Sequence, residues 1–549
     1  MGCKITKNLL TFAASLPRLK MKQFLLFLYS LLLAFSCTNR QKQLIEEATL
    51  EPVVVDTVTD ALALKPFPDT MFASAEKVMF VVDTFDMTVP SELSDFKDLY
   101  EDAPGIFMFR GSPTRNPNFC GQLHGDSINI SVDWVFKTGM DTSKTSHGTW
   151  YGGTGWTGQP VYVQWPDSLW ARFEQLNDTV INHLCPQELI IASLCGNVYF
   201  IDFQTGEESR KCLDTKNVLK GTPSLNPLFN GHLYVGHGVE KHAPFGNIVF
   251  DMFTHQTIHS FGKDPKAWRS WGAYDSSPVV IGGFVFRPGE NGTLYKYYIG
   301  DGDYTLQSTL RYSLTKSKSS PGIESSMAVC KNYGYISDNG GNILCVNLNT
   351  MKPVWHYWNH DDTDSTPLVD VEDGIPYVYT GCEVDRQGNT GKSYFVKLNG
   401  LTGELVWEDT IACRRLHMGS EKTLDGGMYC SPLLGGGDCE GMIFSNFCIN
   451  TTAVRGYFTA FDKSDGHILY QTKTKQYCWS SPVAFYNDKN EMFIFTADTS
   501  GNVYVIKGKT GEIVATQRVG SNFESSPVIV DNKIVLGSRG NKIYKISLQ

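Results

Sequence analysis

The sequence predicts an all-β protein, an eight-bladed β-propeller of four-stranded antiparallel blades, and three observations carry that prediction. A short Ser-Pro phrase recurs eight times, a glycine-led phrase answers each copy downstream, and no long apolar-periodic helical segment follows the first 40 residues. Of the 549 residues, 42% are hydrophobic, 12% aromatic and 19% charged, which describes a chain able to bury a large core. The 51 Gly and 24 Pro suit many short strands joined by tight turns. A net charge of -9 with no basic run in the body of the chain argues against nucleic acid, because phosphate binding relies on clustered Lys and Arg.

The first element is an address. "MKQFLLFLYSLLLAFSC" carries Lys22, an apolar run from Phe24 to Phe35, and Ser36 before Cys37, and the run is too short to span a bilayer comfortably. Residues 1–36 resemble a bacterial lipoprotein signal, which implies lipidation of Cys37; the alternative is an ordinary signal peptide with a chance Cys. Met21 offers a second start. Residues 37–105 are expected to form an acidic tether or a small cap, since from Thr38 to Pro104 there are 14 Asp and Glu against five Lys and Arg. Within them "EKVMFVVDTFDMTV" alternates in a way that allows a strand or two.

Residues 106–549 hold the repeats. The first phrase reads "TGQPVYV" at 157, "GTPSLNP" at 221, "SSPVVIG" at 276, "ESSMAVC" at 324, "DSTPLVD" at 364, "YCSPLLG" at 429, "WSSPVAF" at 479 and "ESSPVIV" at 524. The second, as in "GNVYFIDFQTGEE", "GNILCVNLNTMKPVW" and "GNVYVIKGKTGEIVA", interleaves with it throughout. Each unit parses as strand A from the Ser-Pro phrase, B before the glycine, C after it, and D beyond the Thr-Gly turn, with Gly and Asn where hairpins need positive φ. The last unit ends at Gln549 after its strand C. "ISVDWVFKTG", about residues 130–139, matches a strand D such as "GELVWEDTI", with Trp134 in the place of Trp407, and is expected to complete the last blade and remove two exposed edges.

"KLNGLTGELVW", "VNLNTMKPVW" and "KGKTGEIVA" at the C-to-D turn resemble the tryptophan-docking repeat of the pyrroloquinoline-quinone (PQQ)-like propellers, and "FMFRGSPTRN" resembles the arginine-glycine lead-in ahead of such rings. One branch of that family contains PQQ-dependent alcohol and sugar dehydrogenases, with the quinone and calcium near the axis. The other is non-catalytic and includes the BamB-like lipoprotein of outer-membrane protein assembly. The resemblance implies a quinone stacked on two adjacent disulfide-bonded cysteines in the first branch, and this sequence has neither a Cys-Cys pair nor a Cys-x-x-Cys-His haem site. The twelve cysteines from Cys120 to Cys478 are expected to be free thiols, with Cys195, Cys330, Cys345 and Cys448 in strands; no Cys-His spacing suggests zinc.

Two sets of residues are candidates for binding. The residue ahead of the Ser-Pro phrase is acidic at Asp275, Glu324, Asp364 and Glu524, positions a propeller gathers at one mouth of its axial channel. Carboxylates there would repel an anionic quinone and favour a cation or a basic segment of a partner; the alternative is that they cap their turns. The long D-to-A connections bring Trp150, Tyr151 and Trp156, then Trp268, Arg269 and Trp271, then Trp358 and His360 to the same face. Such residues suit a protein hot spot or a sugar ring, or simply pack the loops. His360 with Asp361, Asp362 and Asp364 has ligand types for a metal, but carboxylates this close in sequence usually form a solvated turn, so no metal site is assigned.

No Gly-x-Ser-x-Gly elbow or phosphate loop is present, and catalysis has no candidate centre. The expected function is a non-enzymatic scaffold for an envelope protein partner, without a cofactor, in outer-membrane protein assembly. It would be lipid-anchored at Cys37 on the periplasmic side of the outer membrane, with the cell surface as the alternative. A glycan-binding propeller and a PQQ-dependent dehydrogenase with calcium are the competing readings.

Overall fold

The computed structural model describes residues 64–549 except 69, 125–127, 157, 177–179, 301–303, 315–320, 418–422 and 451–454; the signal and Cys37 lie outside the described residues. Eight small antiparallel sheets form the ring. Their first strands start at Val161, Ser224, Val279, Ala328, Leu368, Leu433, Val483 and Val528, each directly after its Ser-Pro phrase. Blade 8 is built from Val528–Val530, Lys533–Ser538, Lys542–Leu548 and Ile130–Lys137, the last paired antiparallel with Lys542–Leu548 from Ile130 opposite Leu548 to Lys137 opposite Lys542.

The recurring hydroxyl has a physical role. The residue just before the Pro accepts a backbone N–H from the preceding blade: Ser277 N–H donates to Ser326 Oγ at 2.8 Å, Ser326 to Thr366 at 2.9 Å, Ser431 to Ser481 at 3.0 Å, and Ser481 to Ser526 at 3.1 Å. The hydroxyl one position earlier ties strand A to strand B, as Ser276 Oγ does by donating to Pro288 O at 2.8 Å. Buried backbone donors facing the axis are thereby satisfied where no strand neighbour exists.

On the outer rim a ring side chain of strand D docks on the next blade's C-to-D turn. Trp355 Nε1 donates to Gly400 O at 2.8 Å, Trp407 to Lys463 O at 3.0 Å, and Trp134 to Phe203 O at 3.1 Å, with the Tyr470 hydroxyl on Gly508 O. The indole lies on a glycine. Gly403 has φ +74° and a Cβ there would stand 2.6 Å from Trp355; Gly206, with φ +75°, is placed likewise at 2.7 Å from Trp134.

Three blades are wider than the expected four strands. Val78–Thr84 adds an outer strand to blade 3, pairing antiparallel with Thr305–Leu314, and Phe67 stacks on Tyr333 at 3.9 Å. Gly105–Ile106 pairs with blade 1, and Gly121–Leu123 runs parallel to Val483–Asn487 of blade 7. Between these two, residues 107–120 cross the centre of the ring. Phe107 O accepts from Leu225 N, Pro113 O from Val329 N and Thr114 O from Val369 N, in blades 2, 4 and 5. Arg110 donates to Pro482 O and Pro432 O in blades 7 and 6; Arg115 donates to Met327 O, Ser277 O and Phe109 O. Both arginines are fully buried with carbonyl partners and no ion pair among the described residues, and burial lowers their pKa to about 9 and about 10. The propeller thus carries an axial plug.

The twelve cysteines from Cys120 to Cys478 are free thiols. Cys330 and Cys345 lie in strands as expected, but Cys195 sits in the turn before Asn197–Asp202 and Cys448 just past Met442–Phe447, because both follow the point where the ladder bends away.

Candidate functional site

Counting back three residues from the Pro of each phrase, with Met327 standing for it in blade 4, gives Lys220, Asp275, Glu324, Asp364, Tyr429, Trp479 and Glu524 for blades 2 to 8; Thr157 of blade 1 lies outside the described residues. This register position forms the mouth above the plug. Asp275, Glu324, Asp364, Tyr429 and Trp479 wall a cavity of about 30 Å³ floored by Phe109, with Trp156 reaching in from the blade 1 loop. Trp156 meets Trp479 edge to face at 6.0 Å and Tyr429 at 6.4 Å, while Tyr429 and Trp479 stack at 4.6 Å.

The four sequence-predicted acids separate by partner. Asp275 forms an ion pair with Lys220, whose ammonium also lies 3.7 Å from Glu290 and 3.7 Å from Glu324 and 4.7 Å from the Trp156 ring. Burial pulls the Lys220 pKa down, but Asp275, Glu290 and Glu324 pull harder and hold it above its ordinary value. Burial likewise raises Asp275 and Glu324 and lifts Glu290 to about 8, with Lys220 opposing in each case. Glu524 pairs with Arg539 at 3.1 Å. Asp275 and Glu524 are therefore held by cations of this chain rather than by the turn-capping bonds that were the sequence-based alternative. Asp364 meets a different group, Asp362 and Glu383, with ligand oxygens all within 4.8 Å of one another.

The loop residues divide between packing and exposure. Trp150 packs against Leu194, Val218 and Val239 under the Arg539 guanidinium, 5.3 Å away. Trp271 donates to Glu290 Oε2 at 2.7 Å and meets Phe245 edge on, and Arg269 faces Glu290 and Glu324. His360 turns from the axis to Glu408 Oε2, 3.1 Å away, and stacks on Tyr394 at 3.8 Å. Tyr151, Trp268 and Trp358 remain 50%, 38% and 52% exposed.

Sequence reasoning missed Lys220, Tyr429, Trp479, Glu290 and Glu383. The first three share the register position of the acids, so the repeat alignment itself was the signal. Glu290 and Glu383 come from B-to-C connections, whose length varies between blades and carries no repeat phrase.

The mouth does not fit the quinone of the dehydrogenase branch. A trianionic ring needs cations and space, whereas the walls carry Asp275, Glu324 and Asp364, Lys220 is already paired, and the cavity is about 30 Å³.

Comparison with known proteins follows the same lines. Residues 454–549 match the profile of the family described as outer membrane protein assembly factor BamB. The human β-alanine-activating enzyme is 29% identical over 85 residues, which is 15% of this chain and 8% of that enzyme. Among solved structures, the quinohemoprotein alcohol dehydrogenase of Pseudomonas putida superposes with a TM-score of 0.54 at 13% identity, over 82% of this chain and 81% of the other. That of Comamonas testosteroni gives 0.53 at 12%, over 81% and 80%. BamB of Moraxella catarrhalis gives 0.45 at 14%, over 68% and 97%. In its repeats, its docked tryptophans, its C-terminal blades and its ring, this chain is a β-propeller of the PQQ-like kind.

Proposed function

We propose that the protein is a non-enzymatic cell-envelope scaffold that docks a partner protein on the face carrying the D-to-A loops, in the assembly of outer-membrane proteins. The observation that carries this reading is the pair of half-exposed aromatics, Tyr151 and Trp358, on loops surrounding a mouth too narrow and too acidic for the family's quinone. The BamB-like match over residues 454–549 supports an envelope setting, and lipidation of Cys37 would hold the ring at the membrane, on its periplasmic side. A sugar ring stacked on the same aromatics is the competing reading.

A photo-crosslinking residue in place of Tyr151 or Trp358 in cells tests the proposal. Discrete protein adducts are expected, and Trp358→Ala is expected to weaken co-purification of the captured protein about tenfold. Polysaccharide retention lost in Trp358→Ala, with no protein adducts, would transfer the face to glycan binding. Micromolar binding of PQQ with Ca²⁺ by calorimetry would overturn the non-enzymatic reading.

A further inference from the structure

Two triads of buried carboxylates face the mouth, and they differ in one respect. Asp275, Glu290 and Glu324 enclose Lys220. Asp362, Asp364 and Glu383 have no Lys, Arg or His within 4 Å among the described residues, and Arg386, the nearest cation by its influence on Asp362, pairs with Asp385 instead. Glu383 is 4% exposed, and its buried Oε1, directed into the triad, has no hydrogen-bond partner among the described residues; Asp362 Oδ1 and Asp364 Oδ1 are in the same position. Three buried acceptors converging without a donor are costly unless a cation joins them.

The backbone holds this triad ready. Glu383 N–H donates to Asp362 O at 2.8 Å, tying the B-to-C connection of blade 5 to the loop that precedes its strand A. Asp361 secures the same connection, accepting from Asp385 N–H at 3.0 Å, Arg386 N–H at 3.0 Å and the Gln387 amide at 3.0 Å. Asp361 is thus a positioning residue, while its neighbours Asp362 and Asp364 stay unpaired. Burial first, and then the neighbouring carboxylates, push Asp362, Asp364 and Glu383 well above the ordinary carboxylate range, strain that a bound cation would relieve.

We propose that Asp362, Asp364 and Glu383 bind a divalent cation, Ca²⁺ by the hardness of an all-oxygen ligand set, at the blade 5 side of the axial mouth. Oxygens within 4.8 Å of one another suit an ion with ligands at about 2.3–2.6 Å. Asp364 also lines the axial cavity, which gives the ion a path from solvent and room for a water ligand. The exposed Asp462, Asp465 and His467 cluster serves as the internal control, since its carboxylates are already engaged by Ser464 and His467.

The test is equilibrium dialysis of the metal-free whole protein with Ca²⁺, together with Tb³⁺ luminescence sensitised by Tyr429, which hydrogen-bonds Glu383. Saturable binding below about 1 mM is expected, weakened about tenfold or more by Glu383→Gln and by Asp364→Asn and unchanged by Asp465→Asn. Both triad substitutions remove repulsion, so each variant should melt no lower than the parent in chelator and lose the Ca²⁺-induced rise in melting temperature. Absence of saturable binding at that concentration, or binding that survives both triad substitutions, would overturn the proposal. Partner capture does not enter the readout, so the cation site and the docking face fail separately.

Discussion

Burial dominates Glu290, and its consequence is a pH dependence with a definite sign. Its carboxyl titrates at about 8 in the folded protein, raised from an ordinary 4.5 by burial, with Lys220 opposing and Asp275 adding repulsion. Between those values the folded state keeps a proton that the unfolded chain has released, so this group's contribution to stability is present at low pH and is lost as pH rises through about 8. Glu290→Gln fixes the neutral form. In urea titrations at pH 5 and pH 9 the parent is expected to lose more stability on the alkaline side than the variant does; equal losses would place the proton elsewhere in the Lys220 group. At this scale the sequence disclosed residue type but not partnership. Asp275, Glu324, Asp364 and Glu524 were visible as one register, yet only contacts made across blades show that Asp275 and Glu524 are neutralised from within while Asp364 joins Asp362 and Glu383.

The strand Ile130–Lys137 was legible for a different reason: a blade with a missing outer strand exposes an edge, and Trp134 repeats the docking residue that other D strands carry. Its placement makes blade 8 depend on a segment more than 390 residues distant in sequence, as with Lys545 facing Trp134. The indole lies on Gly206 and donates to Phe203 O, so it joins the last blade to the first just as Trp355 and Trp407 join consecutive ones. Trp134→Ala should cost about 3 kcal/mol, at the lower end for a tryptophan because this ring is only partly buried. Chemical denaturation followed by far-UV circular dichroism measures it, and a loss below about 1 kcal/mol would show that strand pairing alone holds the junction. The extra strand Val78–Thr84 was foreshadowed by its alternation, but its seat on blade 3 was not, because an edge strand carries no repeat phrase to register it.

The ring as a whole is organised by residues 105–123, which hydrogen-bond to every blade: Gly105 and Ile106 to blade 1, residues 107–115 to blades 2 through 7, and Gln122 N–H to Asp531 O in blade 8. Nothing in a side-chain pattern announces this, because the partners are backbone carbonyls, which every sequence supplies. Arg115 is the most demanding member. Its guanidinium reaches Met327 O at 2.8 Å, Phe109 O at 2.9 Å and Ser277 O at 2.8 Å, joining blade 4, the plug itself and blade 3 with one planar fork. A lysine keeps the charge but concentrates its donors at one point and leaves at least two of these buried acceptors unmet, each at about 1–3 kcal/mol. Arg115→Lys should therefore lower stability by roughly 2–6 kcal/mol, and because the plug touches all blades the loss should appear as one earlier transition rather than as melting of a single blade. Tryptophan fluorescence and far-UV circular dichroism recorded on the same urea series decide this: coincident, shifted curves are expected, whereas separated curves would mean that the blades hold together through their hydroxyl belt and docked indoles without the plug.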